Sequence, residues 1–294
     1  MKPAPFEYIR CTSIDEAVTA LTELGEEAKL LAGGQSLVPM LNMRLVRPRA
    51  LVDINGIQSL SYIREEDGWL VIGSLTRQRD IEKSPTVQAG HPLLHEATLH
   101  IGHPQIRNRG TIGGSIAHAF PSAEYPAAVV ALNGRIKVVG PSGERVVPAR
   151  QFFTGIMSTA LDVGEMIVEV QVPRLAEGSG WGFVEFTRRH GDFAIAGAIA
   201  IVQREGSSIR GADVTVFGVG LVPVVCQETS HALIGEQHDD TAVAKAVEAV
   251  ERDLKEVEVI SDVHASAEYR RHLARVMVKR ALLQALGRAR GSRP

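Results

Sequence analysis

Two short glycine turns constrain what this chain can fold into. Gly33–Gly34 and Gly113–Gly114 lie 80 residues apart, and each stands beside small hydrogen-bonding side chains. Glycine lacks the Cβ that keeps a backbone away from a ligand, and consecutive amides on such a turn form a concave donor surface suited to a pyrophosphate. A single glycine pair is commonly a plain structural turn, but the two together indicate one large phosphate-bearing cofactor held from both sides.

The common nucleotide motifs do not account for these turns. The first turn is an adjacent pair rather than G-x-G-x-x-G, and Pro39 and Pro48 interrupt any long crossover helix between it and Asp53. Neither turn continues into Gly-Lys-Ser/Thr, which excludes a P-loop. The helices and strands expected along the chain also alternate too irregularly for a doubly wound parallel sheet, so we expect an α+β fold.

Three longer segments carry a family resemblance. They are residues 31–45 (LAGGQSLVPMLNMRL), residues 102–118 (GHPQIRNRGTIGGSIAH) and residues 188–197 (RRHGDFAIAG). In these segments, and in their order, the chain resembles the FAD-binding medium subunit of the molybdenum hydroxylases, the xanthine dehydrogenase and carbon monoxide dehydrogenase superfamily. The resemblance runs from Phe6 to the last helix. It is specific for the type of subunit and does not identify a substrate.

The resemblance implies two domains. Residues 1–175 are expected to form a two-lobed FAD-binding domain of the PCMH, or vanillyl-alcohol-oxidase-like, type. Residues 176–294 are expected to form a smaller α+β C-terminal domain with a small antiparallel sheet and helices. A chain of 294 residues exceeds the usual size of a single core, and the Pro- and Gly-containing stretch from Pro173 to Gly182 is the best linker by composition.

The implied function is electron transfer by bound FAD. A large partner subunit would hold the molybdenum cofactor and the substrate, and a small partner subunit would hold two 2Fe-2S clusters that pass electrons to the FAD. The sequence does not specify the external electron acceptor. No side chain of this chain is expected to act as a catalytic base or nucleophile, and no metal ligands are expected. Two alternatives remain open: a stand-alone FAD oxidoreductase with its own substrate site, and a cofactor-free assembly protein of the same fold.

The resemblance also implies which residues contact FAD. They are Leu31, Ala32, Gly33, Gly34, Gln35, Ser36, Leu37, Thr111, Ile112, Gly113, Gly114, Ser115, His118, Glu124, Ile167 and Phe193. Glu124 fits a carboxylate that accepts hydrogen bonds from ribityl or ribose hydroxyls. His118 is either a residue beside the flavin or a packed, hydrogen-bonded histidine. Ile167 packs either on the flavin ring or in a strand, and Phe193 either lies against the flavin or belongs to an ordinary turn. Phe120 departs from the family pattern, in which aspartate is common.

Composition limits the kinds of partner and the cellular compartment that we expect for this protein. The formal net charge is −2, which gives no reason to expect nucleic acid or an anionic membrane. No apolar run approaches the roughly 18 residues that span a bilayer, and the amino terminus lacks a signal-peptide apolar region, so we expect a cytoplasmic protein. Cys11 and Cys226 cannot alone hold an iron–sulfur cluster, which takes about four thiolates, and we expect two separate buried thiols.

Local patterns predict several secondary-structure elements. Ser13 and Glu16 form a capping box that opens a helix ending at Gly25. Thr76 is expected to cap a helix that runs to Lys83, and residues 128–132 are expected to form a strand. In the final helix, residues 266–286, the predicted buried stripe consists of Tyr269, Leu273, Val276 and Leu283.

Overall fold

A three-stranded parallel sheet opens the chain. The computed structural model describes residues 2–237 and 239–289. The sheet contains β1 (Glu7–Arg10), β2 (Ala28–Leu31) and β3 (Ala50–Asp53) in the order β1-β3-β2, with helices α1 (Ile14–Leu24) and α2 (Leu37–Asn42) in its connections. The Ser13–Glu16 capping box and the stop at Gly25 are confirmed, because both capping hydrogen bonds are present.

A five-stranded antiparallel sheet forms the second layer. Its order is β4-β5-β10-β6-β7, and β10 pairs with both β5 and β6. The strands are β4 (Ile63–Glu66), β5 (Trp69–Gly73), β6 (Arg135–Gly140), β7 (Gly143–Pro148) and β10 (Met166–Pro173). The helices between them are α3 (Gln78–Lys83), α4 (Pro85–Gly90), α5 (Pro92–His100), α6 (Pro104–Arg107), α7 (Ile112–His118), α8 (Glu124–Ala131) and α9 (Ala149–Phe152). A short hairpin, β8 (Phe153–Gly155) and β9 (Ser158–Thr159), follows α9.

The C-terminal part has its own antiparallel sheet, as expected. The order is β11 (Gly180–Phe186), β12 (Ala196–Glu205), β13 (Ser208–Phe217) and β14 (Val224–Val225). The helices that follow are α10 (Gln227–His231), α11 (Asp240–Asp253) and α12 (Ala267–Arg288). Helix α12 packs along β11 and β12. The α+β class, with sheets that are not doubly wound, is confirmed.

One apolar core joins the middle sheet to the C-terminal sheet. Every residue of α8 is buried, and this helix packs on α5, β12 and β13. The same cluster includes Phe183, Ile199 and Phe217 from the C-terminal sheet. The C-terminal sheet therefore covers α8, and the region around residue 176 connects two parts that share apolar packing.

Two local predictions were wrong. Residues 128–132 belong to or directly follow helix α8 rather than a strand, because an apolar run buried on all sides shows no helical period. Arg77 occupies the cap position of α3, and its side chain makes no capping hydrogen bond there. The Thr76 hydroxyl instead donates to the Tyr62 carbonyl at 2.9 Å and accepts from the Tyr62 amide at 3.0 Å.

The buried face of α12 also differs from the predicted stripe. Tyr269 and Leu283 are exposed, whereas Arg270 is buried. The Arg270 guanidinium donates to the carbonyl oxygens of Ile195 and Gly218 and to Asp262 Oδ2. A buried arginine whose charge is compensated and whose donors are used can face a core, and this tertiary arrangement overrides the apolar pattern.

Two further predictions concern the thiols and membrane spans. Cys11 and Cys226 are both buried and unpaired, which confirms two separate thiols. Burial is the main cause that raises the pKa of each thiol, so neither is poised as a thiolate. In the part of the chain that the structure describes, no helix is long and apolar enough to cross a membrane.

The close approach of α12 to β11 generates a stability prediction. A Cβ at Gly182 would overlap the carbonyl oxygen of Ala281, so Gly182→Ala should lower the free energy of unfolding by about 1–3 kcal/mol. Gly287→Ala is the matched control, because a Cβ there meets nothing and alanine favours a helix by up to about 1 kcal/mol. Urea denaturation of both variants checks this, and equal stabilities would contradict it.

Candidate functional site

The first glycine turn lies against the segment that leads into the second turn. The first turn leaves β2 and enters α2, and a Cβ at Gly33 would overlap the carbonyl oxygen of Arg109 and lie 2.8 Å from the Gly110 Cα. Gly34 adopts φ +72°, a conformation that residues with a side chain rarely adopt. Only glycine at position 33 lets the first turn lie against the segment that leads into the second.

The second turn is fixed from below by β5 and its loop. The Gly113 amide donates to the Ser74 carbonyl at 2.9 Å, and a Cβ at Gly113 would lie 2.7 Å from that same oxygen. The Thr111 hydroxyl accepts from the Gly114 amide at 3.1 Å and so caps α7. A Cβ at Gly114 would lie 2.8 Å from this hydroxyl. Glycine at 113 and 114 thus permits both the close approach to Ser74 and the cap.

A polar network holds the two turns together. The Asn55 side-chain amide donates to the Ala32 carbonyl at 2.9 Å, and Arg77 donates to Asn55 Oδ1 at 2.8 Å and to the Arg109 carbonyl at 2.6 Å. Asp53 accepts from Asn55, and burial would raise the Asp53 pKa, but hydrogen bonds from Tyr8 and Asn55 hold it below its usual value. The network therefore connects the carbonyls of both turns through charged and amide groups.

The turns enclose a cavity of about 470 Å³. Fourteen of the sixteen predicted site residues line it. They are Ala32, Gly33, Gly34, Gln35, Ser36, Leu37, Thr111, Gly113, Gly114, Ser115, His118, Glu124, Ile167 and Phe193. The exceptions are Leu31, which lines a second cavity of about 490 Å³, and Ile112, whose side chain is fully buried in the core. Residues 32–35 line both cavities, which therefore adjoin along the first turn.

Several hydrogen-bonding groups at the cavity wall have no partner within the described part of the protein. Ser74 Oγ and Gln78 Oε1 are buried at its wall and have no hydrogen-bond partner within the described chain. Among the described residues, the backbone amides of Gly34, Gln35 and Ser36 also donate to no protein acceptor. Buried polar groups are normally paired, so these groups indicate a polar ligand in the cavity. Ser74 and Gln78 were not predicted as site residues. Their only sequence signal is that a polar residue stands at each end of the junction between a strand and a helix.

Glu124 and His118 are titratable groups at the cavity wall. Glu124 starts α8 and is only 3% exposed. Burial, together with the nearby Glu185 carboxylate, raises the pKa of Glu124 to about 8. Burial lowers the pKa of His118, so its imidazole is neutral near pH 7. At neutral pH the cavity wall thus carries a carboxylic acid, which donates one hydrogen bond, and an uncharged imidazole.

Aromatic and aliphatic side chains complete the cavity. The rings of Phe120 and Phe193 lie 4.5 Å apart between centroids, and His118 is nearly parallel to Phe120 at 6.2 Å. Phe193 remains 53% exposed, whereas Ile167 of β10 is buried. Phe120 therefore supplies an apolar partner for Phe193. The cavity combines a polar glycine-lined end with an apolar end, a composition suited to a ligand with phosphates and a flat ring.

Comparison with known proteins defines the class. Residues 4–175 match the model of the FAD binding domain in molybdopterin dehydrogenase, and residues 181–285 match the CO dehydrogenase flavoprotein C-terminal domain. The chain therefore belongs to the family of FAD-binding medium subunits of the molybdenum hydroxylases. Its cofactor is FAD, and it is an oxidoreductase subunit, as the resemblance implied.

Individual relatives match over nearly their whole length. The chain is 44% identical to the 6-hydroxypseudooxynicotine dehydrogenase complex subunit alpha of Paenarthrobacter nicotinovorans, over 99% of this chain and 97% of that protein. It is 40% identical to the carbon monoxide dehydrogenase medium chain of Hydrogenophaga pseudoflava, over 98% of this chain and 99% of that one. The solved carbon monoxide dehydrogenase from Hydrogenophaga pseudoflava, which lacks the Mo-pyranopterin moiety, superposes with a TM-score of 0.95, covering 99% of this chain and 100% of that one.

The contact between the turns predicts the effect of a single methyl group. Gly33→Ala should separate the first turn from Arg109 and Gly110, and so lower the flavin-to-protein ratio at least about tenfold, equivalent to about 1.4 kcal/mol of binding. Absorbance of the purified chain measures this ratio. Gly155→Ala is the control, because a Cβ there makes only an ordinary 3.8 Å contact. Flavin retained at the parent level in Gly33→Ala would show that the contact does not shape the site.

The raised pKa of Glu124 predicts a dependence of stability on pH. The folded chain favours the protonated carboxyl, so this contribution is fully present below the ordinary carboxyl pKa of about 4.3 and is lost as pH rises through about 8. Glu124→Gln has no proton to lose there. Over this window its stability should rise relative to the parent by up to about 1.4 kcal/mol per pH unit. Urea denaturation of the flavin-free chains at several pH values checks this, and parallel profiles would contradict it.

Proposed function

We propose that FAD binds in the cavity between the two glycine turns, so that this medium subunit relays electrons from the iron–sulfur clusters of its small partner to an external acceptor. The observation that carries the proposal is the convergence of both turns on one cavity, with Gly33 against Arg109 and Gly110. Family membership supports this relay over a stand-alone oxidoreductase and over a cofactor-free assembly protein.

The residues present fit FAD. The free amides of the first turn offer donors to a pyrophosphate, and Ser74 Oγ and Gln78 Oε1 are buried at the same wall without partners in the described chain. The second cavity, which reaches Asp53, Asn55 and Arg109, extends the space along the first turn. An elongated cofactor with polar and flat ends matches these two adjoining spaces.

We assign roles to the sixteen site residues on this basis. The amides of the first turn and the hydroxyls of both turns bind the phosphates and the sugar, and protonated Glu124 donates to, or accepts from, a ribityl or ribose hydroxyl. Ile167 packs against the flavin ring, and Phe193, backed by Phe120, covers its exposed side. Leu31 contributes from the second cavity, and Ile112 contributes by holding α7 in the core.

Bound FAD supplies the electron-carrying chemistry, which no side chain offers. The chain's own contribution is electrostatic and positional. Donors aimed at the cofactor favour its charged forms, and the apolar walls exclude water from the ring. Neutral His118 can donate or accept one hydrogen bond without adding charge.

The partners and the domain boundary follow from the same family. We assign the molybdenum cofactor and the substrate to the large subunit, and two 2Fe-2S clusters to the small subunit. The relatives named above are subunits of a dehydrogenase complex and of carbon monoxide dehydrogenase. We place the domain boundary near residue 176, supported by the two matched ranges, which end at residue 175 and begin at residue 181. We also propose that the assembly works in the cytoplasm.

Composition of the native assembly tests the relay. The chain purified alone should show flavin absorbance bands, and the complex isolated from its host should add iron, sulfide and molybdenum. Gly33→Ala serves as the flavin-poor control. Flavin without any metal-bearing partner would support the stand-alone oxidoreductase instead. Absence of flavin from both samples would refute FAD binding by this chain.

A further inference from the structure

Two buried polar side chains at the cavity wall each carry an oxygen that lacks a partner. Ser74 directly follows β5 and is 3% exposed, and Gln78 begins α3 and is 4% exposed. Ser74 Oγ and Gln78 Oε1 have no hydrogen-bond partner in the described chain, and both residues line the cavity. Buried polar atoms are normally paired, because an unpaired one destabilises the fold. A partner from outside the protein would account for both oxygens.

Their position distinguishes these two oxygens from the other buried side-chain atoms without a partner. In the described chain, those other atoms belong to residues that line neither of the two cavities. One of them is the hydroxyl oxygen of Thr215, a fully buried residue of β13. Ser74 and Gln78 belong to different elements, and the fold brings both to the same cavity wall. The cavity is therefore the feature that the two unpaired oxygens share.

Backbone hydrogen bonds hold both residues against the segment of the second turn. The Gln78 amide donates to the Gly110 carbonyl at 2.9 Å, and the Ser74 carbonyl accepts from the Gly113 amide at 2.9 Å. A Cβ at Gly110 would overlap Gln78 Oε1, so the carboxamide lies directly against Gly110. Gly110 is also a residue that Gly33 of the first turn approaches. Gln78 therefore lies where the two turns meet, and Ser74 lies beneath the second turn.

A largely buried ion pair fixes the helix that carries Gln78. Glu82 lies one turn further along α3, and Arg107 Nε donates to Glu82 Oε2 at 2.8 Å. The Arg107 side chain is 8% exposed, and it also donates to the carbonyl of Ile101, which lines the same cavity. Rotation of α3 that turned Gln78 away from the cavity would break this ion pair. The carboxamide is thus held in place before a ligand arrives, which lowers the entropic cost of binding.

The chemistry of these two groups suits a dinucleotide. A hydroxyl can donate to a phosphate oxygen, and a carboxamide can both donate to a phosphate and accept from a sugar hydroxyl. We propose that Ser74 and Gln78 hydrogen-bond FAD directly, in addition to the sixteen residues assigned above. Both side chains serve the ligand rather than the fold, because the flavin-free chain leaves their oxygens without a protein partner. This inference rests on the proposed placement of FAD.

Affinity and stability, measured on the same variants, test these contacts. The full-length chain is freed of flavin and titrated with FAD, and flavin fluorescence gives the Kd. Ser74→Ala and Gln78→Met keep a similar side-chain size without the hydrogen-bonding groups. Each should raise the Kd about three- to tenfold, because each loses a hydrogen bond to the ligand. The urea midpoint of each flavin-free variant should stay at or above that of the parent, since no side-chain hydrogen bond within the described chain is lost.

Thr215→Val is the matched control. It removes a buried hydroxyl that also lacks a partner in the described chain but lies outside the cavity wall, so the Kd for FAD should not change. Parent-like affinity in either Ser74→Ala or Gln78→Met would overturn the proposal while leaving FAD binding intact. Weaker binding together with a lower urea midpoint, or equal weakening by Thr215→Val, would reduce the two residues to a structural role and also overturn it. Failure of the parent chain to bind FAD would instead refute the proposed function.

Discussion

The backbone contact between the two glycine turns is the interaction on which the site depends. Gly33 lies against Arg109 and Gly110, where a single methyl group would collide with a carbonyl oxygen. Neither turn would form a cavity alone, because each supplies only one wall. Arg77 and Asn55 then bind carbonyls from both sides of the joint, and this fixes the parallel sheet relative to α7. The two turns are 80 residues apart in the sequence, so tertiary contacts rather than chain connectivity hold them together.

The C-terminal sheet closes the other side of the cavity. It covers α8 with Phe183, Ile199 and Phe217 and thereby buries the helix that carries Glu124. The loop between β11 and β12 brings Phe193 to the cavity. The C-terminal part of the chain thus forms part of the cavity wall. Its packing determines both the burial and the pKa of Glu124.

Features whose physical cause lies in neighbouring residues were predictable from the sequence. Glycine turns, the Ser13 capping box and the alternating strands depend on neighbouring residues, and the structure has them close to where they were predicted. Features that depend on residues distant in the sequence were not predictable from it. The sequence of helix α8 shows no hydrophobic periodicity, because the helix is buried on all sides. Arg270 is buried in the core because the carbonyl oxygens of Ile195 and Gly218 accept its hydrogen bonds. Ser74, Gln78 and Glu185 carry no local signal, because their role comes from the tertiary positions they reach.

The charge balance around the cavity explains why Glu124 is the group that stays protonated. Two buried carboxylates near each other repel, so one of them must be neutral or compensated. Glu185 Oε1 lies 3.1 Å from His100 Nδ1, and this hydrogen bond is the main cause that raises the pKa of His100. Burial, together with Glu185, leaves the acid form of Glu124 favoured. A neutral Glu124 adds no negative charge to a site built to receive a pyrophosphate, whereas an ionised one would oppose it. The arrangement therefore keeps a proton donor at the cavity wall without weakening the attraction of the two turns for an anionic cofactor.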